Sequence, residues 1–139
     1  MAKHNRNNIP YITVNELSKI LNQVVLLDAR ETNEFKISHL NHALHVGYTF
    51  FSIDDVKSRF PKKDSQVVVY CSLGIRSESI ALKLKQAGYT NVKNLYGGIF
   101  EWKNHNLPVY NSKNKETDSV HVYSKTWKKW LKKGIKVYE

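Results

Sequence analysis

Along the chain, short runs of β-branched and apolar residues alternate with segments whose apolar residues recur every three or four positions. That is the rhythm of strands alternating with amphipathic helices. "TVNE" is a capping box in which Thr13 caps and Glu16 reaches back, and Val14, Leu17, Ile20 and Leu21 follow at helical spacing. "VVLLDA" (24–29) predicts a buried strand. "ETNEFKISHL" predicts a brief polar helix or turn, residues 43–46 a short strand, and 52–60 a helix stopped by Pro61. "QVVVY" (66–70) is the clearest strand, and residues 77–87 continue as a helix through Ile80, Ala81, Leu84 and Ala87, with Gly88 in the C′ role. "NVKNLY" predicts a further strand, then two glycines, then a helix over 99–105.

This alternation predicts an α/β fold: a central, mostly parallel sheet flanked by helices on both faces. Residues 1–8 read as a flexible arm and 9–110 as the domain. Residues 111–119, polar throughout, read as a linker, and 120–139 as a basic extension rich in Trp and Lys. In that extension Val120 and Val122 alternate as in a strand, while Trp127, Trp130 and Leu131 fall on one helical face.

Composition narrows the class. With 139 residues, 41% of them hydrophobic, the chain is expected to fold as one domain. No apolar run approaches the roughly 20 residues that span a bilayer. The basic start "MAKHNRNN" leads into no apolar stretch, so a secretory signal is not expected. A single cysteine cannot form an internal disulfide; it fits a reducing, cytoplasmic setting and leaves the thiol free. The formal charge of +10 favours acidic partners, and eight of the lysines lie within residues 113–136. Three fates suit the extension: packing back on the domain, within one chain or across a homodimer; contact with RNA or an acidic protein; or rest on an anionic membrane. Packing back is the favoured one.

The lone cysteine, Cys71, sits where the strand ends and a helix begins, with Gly74 and Arg76 close behind. Ligands of α/β sheets bind at the carboxyl ends of strands. A tight turn there gathers backbone N–H groups into a nest, and the positive end of the following helix points at the same place. Both effects, with Arg76, favour a thiolate nucleophile over a buried structural cysteine.

"CSLGIR" resembles the C-x-x-G-x-R active-site loop of rhodanese-like sulfurtransferases. "LLDARETNEFKISHLNHA" is similar to that family's first signature through Asp28, Arg30, Glu31, Glu34, Phe35, His39, Leu40 and Ala43. "LYGGIFEWKNHNLPV" is similar to its closing signature through Leu95, Gly97, Gly98, Trp102, Pro108 and Val109. Together the three ordered signatures cover about residues 10–110. Ser38 and the pair Asn41 and His42 depart from the family pattern at a turn, and the last 30 residues lie outside it.

The resemblance implies double displacement. Cys71 attacks the outer sulfur of thiosulfate or of a persulfide-carrying protein, holds it as a persulfide, and yields it to cyanide or a thiol. The loop Ser72, Leu73, Gly74, Ile75, Arg76 and Ser77 would bind the anion, with Asp28 and Arg30 as loop support. Neither a metal nor an organic cofactor is implied. Arg76 has two open roles: contact with an anionic donor, or anchorage through a carboxylate such as Glu78 or Asp28. Ser77 is either a hydroxyl donor to the persulfide or a plain N-cap. The apolar rim residues Leu73 and Ile75 favour a protein or polysulfide donor over free thiosulfate. His39 reads as a hydrogen-bonding turn residue and Trp102 as core. Phosphatases of the same fold carry Cys-x5-Arg, whereas this chain carries Cys-x4-Arg, a smaller bowl that suits one sulfur atom and crowds a phosphate. A non-catalytic binding module is the other rival.

Overall fold

Two four-residue strands whose side chains are almost wholly buried, β2 (Val25–Asp28) and β4 (Val67–Tyr70), form the centre of the fold. They pair in parallel, Leu27 opposite Val69 and Asp28 opposite Tyr70. On the far side of β4 comes β5 (Val92–Leu95), then β1 (Tyr11–Ile12); on the far side of β2 comes β3 (Leu44–His45). All four pairings are parallel, so every strand presents its carboxyl end to one edge. The computed structural model describes residues 8–123 and 125–138. Nearly all of the expected N-terminal arm lies outside them.

Alternation along the central strands divides the core into two. Leu26, Val68 and Tyr70 face one side with Val14 and Leu17 of α1 (Val14–Ile20) and Ile99, Phe100 and Trp102 of α5 (Gly98–Asn104). Leu27, Val67 and Val69 face the other with Val56 of α3 (Ile53–Arg59) and Ile80, Ala81 and Leu84 of α4 (Ile75–Gln86). The mostly parallel sheet with helices on both faces is the architecture expected from the alternation. A short α2 (Thr32–Ile37) follows β2.

Local signals hold where they were readable. Thr13 and Glu16 close the capping box on α1, and Ser52 caps α3. Gly88 follows α4 with positive φ while Gly88 N–H and Tyr89 N–H bond the Lys85 and Leu84 carbonyls, a Schellman ending. Other expectations need correction. Helix α4 begins at Ile75, not 77, because Gly74 adopts φ 108° and turns the chain immediately into the helix. Ser77 therefore lies inside the first turn and is no N-cap.

The polar segment 111–119 is not a bare connection. It carries β7 (Glu116–Thr117), which pairs antiparallel with β6 (Val109–Tyr110), and the first residue of β8 (Ser119–His121). β8 then pairs in parallel with β9 (Ile135–Val137). Between them Lys125–Trp130 forms a 3-10 helix. Its aromatic residues do not share one buried face. Leu131 is fully buried, Trp127 packs against the core and Trp130 is half exposed. Val120 and Val122 are buried in the same cluster, so the extension packs back on its own domain. No helix among the described residues is long and apolar enough to cross a membrane.

The central ion pair yields one pH prediction. Asp28 is fully buried and takes a bidentate grip on Arg30, 2.7–3.3 Å, plus a 2.6 Å bond from Tyr70 Oη. Burial alone pushes the Asp28 carboxyl up; the Arg30 charge and the hydrogen bonds from Arg30 and Tyr70 outweigh it and hold the group below its ordinary value. A depressed folded pKa contributes stability that is fully present above the unfolded-chain value, about 4, and is lost as pH falls through the folded value. Thermal melts across this range are expected to show an acid loss that is smaller in Asp28→Asn than in the wild type.

Candidate active site

Cys71 follows β4 at the carboxyl edge of the sheet and is fully buried. Its sulfur is not lodged in hydrocarbon. The Gly74 N–H donates to Sγ at 3.1 Å, and Ser77 Oγ lies 3.3 Å away. Gly74 has φ 108°, a conformation that a side chain would strain, and it turns the chain into α4 directly behind the sulfur. The loop ends at the N-terminus of α4, whose 12 residues direct their positive end toward the same point.

Three contacts from distant elements hold the loop. Arg76 forms a bidentate pair with Glu34 of α2, Nη1 to Oε2 at 2.7 Å and Nη2 to Oε1 at 2.8 Å. Arg76 also donates to Ser72 Oγ at 3.0 Å, so the Ser72 hydroxyl faces Glu34 rather than the sulfur. Glu34 Oε2 accepts from the Glu31 N–H at 2.9 Å as well, so one carboxylate ties the start of α2 to the loop. Burial alone lowers the Arg76 pKa; the Glu34 hydrogen bonds and the nearby Cys71 and Glu34 charges outweigh it, and the net shift is upward.

From β5, Asn94 donates Nδ2–H to the Gly74 carbonyl at 2.9 Å and accepts from Ser77 Oγ at 2.7 Å. From α5, the Ile99 and Phe100 N–H groups donate to the Cys71 and Ser72 carbonyls at 2.9 and 3.2 Å. Gly98 lies so close that a Cβ there would sit 2.4 Å from the Cys71 oxygen and 2.5 Å from the Ser72 oxygen.

The structure therefore brings together the whole expected loop, residues 71–77. The carboxylate that pairs with Arg76 is Glu34, a partner that the sequence reading did not name. Asp28 instead binds Arg30, and Arg30 reaches the Ser38 carbonyl at 2.6 Å. That pair sits one strand away from the loop and braces β2, α2 and Tyr70. His39 is a hydrogen-bonding residue as expected, its Nδ1 2.9 Å from the Phe35 carbonyl and its ring stacked on Phe35, but it sits in an isolated antiparallel bridge with Tyr110 rather than in a turn. Leu73 is half-buried and Ile75 is 37% exposed, leaving an apolar rim.

Sequence reasoning missed Asn94 and gave Glu34 no role. The available clue to Asn94 was a polar side chain in an otherwise buried strand. The two glycines were placed only between a strand and a helix, whereas Gly98 is required by the close approach of α5 to the loop.

A family model described as the rhodanese-like domain matches residues 13–105. The thiosulfate sulfurtransferase GlpE of Coxiella burnetii is 33% identical over 82 residues, which cover 59% of this chain and 74% of that protein. The adenylyltransferase and sulfurtransferase UBA4 of Candida albicans is 35% identical over 83 residues, 56% of this chain; the chain spans 19% of that protein's length. Among solved structures, a thiosulfate sulfurtransferase from Pseudomonas aeruginosa superposes with a TM-score of 0.71 at 20% identity, covering 82% of this chain and 23% of that one. With its cysteine loop at the carboxyl edge of a parallel sheet and its match over most of the sequence, the chain belongs to the rhodanese-like domain family.

Proposed function

We propose that this protein is a sulfurtransferase that carries a sulfane sulfur on Cys71. The observation that supports it most directly is the 3.1 Å approach of the Gly74 N–H to Sγ, in a loop of Cys-x4-Arg spacing. As the thiolate, Cys71 attacks the outer sulfur of a donor. With thiosulfate the S–S bond of the donor breaks, its electron pair leaves with sulfite, and the outer sulfur remains on Cys71 as Cys–S–S⁻. A thiophilic acceptor such as cyanide then attacks that sulfur, the persulfide bond breaks, and the Cys71 thiolate returns. No external oxidant or reductant enters the cycle.

The loop supplies the electrostatic part. The Gly74 N–H, the N–H groups at the start of α4 and the helix dipole favour negative charge at the sulfur position. Ser77 has one hydroxyl proton for two neighbours. With a neutral thiol, that proton bonds Asn94 Oδ1; with an anion, it turns to sulfur. Asn94 stays fixed because its Nδ2–H holds the Gly74 carbonyl.

Cys71 is fully buried, and Leu73 and Ile75 of its loop are partly exposed beside it. On the same edge, after β3, Phe50 is 92% exposed. An apolar rim on a chain with a formal charge of +10 suits a persulfide-carrying protein with an acidic face better than a free anion. The phosphatase reading is disfavoured: Arg76 is engaged by Glu34 and no acid stands in the loop to protonate a leaving oxygen.

Because the chain has a single cysteine, intact mass after incubation with thiosulfate tests the reading without a variant. A gain of one sulfur atom, located on the peptide bearing Cys71 and removed by cyanide with release of thiocyanate, is the expected result. No gain with thiosulfate or with any persulfide donor would refute it and leave the binding-module reading.

A further inference from the structure

The Glu34 and Ser72 contacts use the in-plane edge of the Arg76 guanidinium. Its face is covered from an unexpected direction. The Tyr123 ring, beyond the 13–105 family match, lies with its centroid 4.0 Å from Arg76 Cζ, and the Trp127 ring lies at 5.9 Å. The two rings also contact each other at 5.1 Å. Arg76 is left only 5% exposed, and its Nε has no hydrogen-bond partner among the described residues.

Tyr123 is held in place by its surroundings. It adopts φ 66°, and its N–H donates to His121 Nδ1 at 2.9 Å. His121 Nε2 in turn lies 3.4 Å from Asn33 Nδ2 of α2, one residue before Glu34. Val120, Val122 and Leu131 are buried around it and fix the extension to the domain. The ring itself is 47% exposed, so it is placed over Arg76 without filling the core.

We propose that Tyr123 is a positioning residue for the Cys71 loop: its ring seals the face of Arg76, keeps water and salt from the Glu34–Arg76 pair, and so holds residues 72–77 in the geometry that presents their N–H groups to sulfur. Without the ring, the guanidinium face hydrates and the ion pair weakens in the higher dielectric. Any catalytic consequence rests on the sulfur-transfer reading; the mechanical claim does not.

Amide hydrogen exchange of the full-length chain, followed by mass spectrometry of the peptides covering 72–77, tests it. Tyr123→Ala should exchange these amides roughly five- to tenfold faster, with the melting temperature nearly unchanged. Tyr123→Phe should keep wild-type protection, because the ring face and not the hydroxyl covers Arg76. Trp130→Ala, in the same extension but stacked on Lys129, should match wild type. In sulfur transfer from thiosulfate, Tyr123→Ala should lower kcat several-fold and leave KM little changed. Wild-type protection in Tyr123→Ala, failure of Tyr123→Phe to restore it, equal loosening in Trp130→Ala, or a fall in global stability in step with the loop would each overturn the proposal. If the wild type accepts no sulfur, the transfer reading falls while the exchange measurement still decides this one.

Discussion

Gly98→Ala is expected to destabilise the fold by about 3 kcal/mol and to slow sulfur loading of Cys71 on the order of a hundredfold. Two effects combine. Gly98 has φ 61°, where an L side chain is strained, and the new Cβ would meet the Cys71 and Ser72 carbonyl oxygens at 2.4 and 2.5 Å. Both obstacles are backbone atoms, so no flexible side chain can swing away. Relief requires α5 to retreat from the loop, which breaks the bonds from Ile99 N–H and Phe100 N–H. The Cys71 carbonyl then loses its tether and the sulfur shifts against the Gly74 N–H. Denaturant unfolding measures the stability term and single-turnover sulfur loading the kinetic term. A variant that unfolds like wild type and loads at the same rate would show that the close approach is immaterial.

Glu34→Ala should cost about 3–5 kcal/mol, the penalty for leaving a buried guanidinium without its carboxylate. Arg76 cannot escape by deprotonating, and it cannot reach water while the Tyr123 ring covers it. The same change removes the acceptor for Glu31 N–H and so loosens the start of α2. Replacing both partners by apolar residues, Glu34→Leu with Arg76→Met, should recover most of the lost stability, since no charge is then stranded. The double variant should still load sulfur slowly, because nothing fixes the loop laterally. Chemical denaturation of the single and double variants measures the first expectation, and loading rates measure the second. Additive losses in the double variant would show that the pair does not act as a unit.

The two variants attack one object from opposite sides. α5 grips the loop by its first two carbonyls, and α2 grips it by the side chain at its end. Asn94 of β5 holds the middle through the Gly74 carbonyl. The sulfur site is thus a short loop pinned by three elements that are far apart in sequence.

Much of this protein was legible in the residues alone. Strand and helix positions followed from periodicity, and Thr13 and Gly88 marked helix ends, because these signals act within a few residues of where they stand. The Cys71 loop was legible for the same reason: a cysteine, a glycine and an arginine lie within six positions. Tertiary structure decided the partners. Glu34 lies 42 residues from Arg76 and Asn94 17 residues from Ser77, and only strand order and register bring them together. The sequence could not show that α5 comes near enough to require Gly98, or that a tail beyond the family match lays Tyr123 over Arg76. Periodicity records which face of an element is apolar; which other element that face meets is settled by packing across the whole chain.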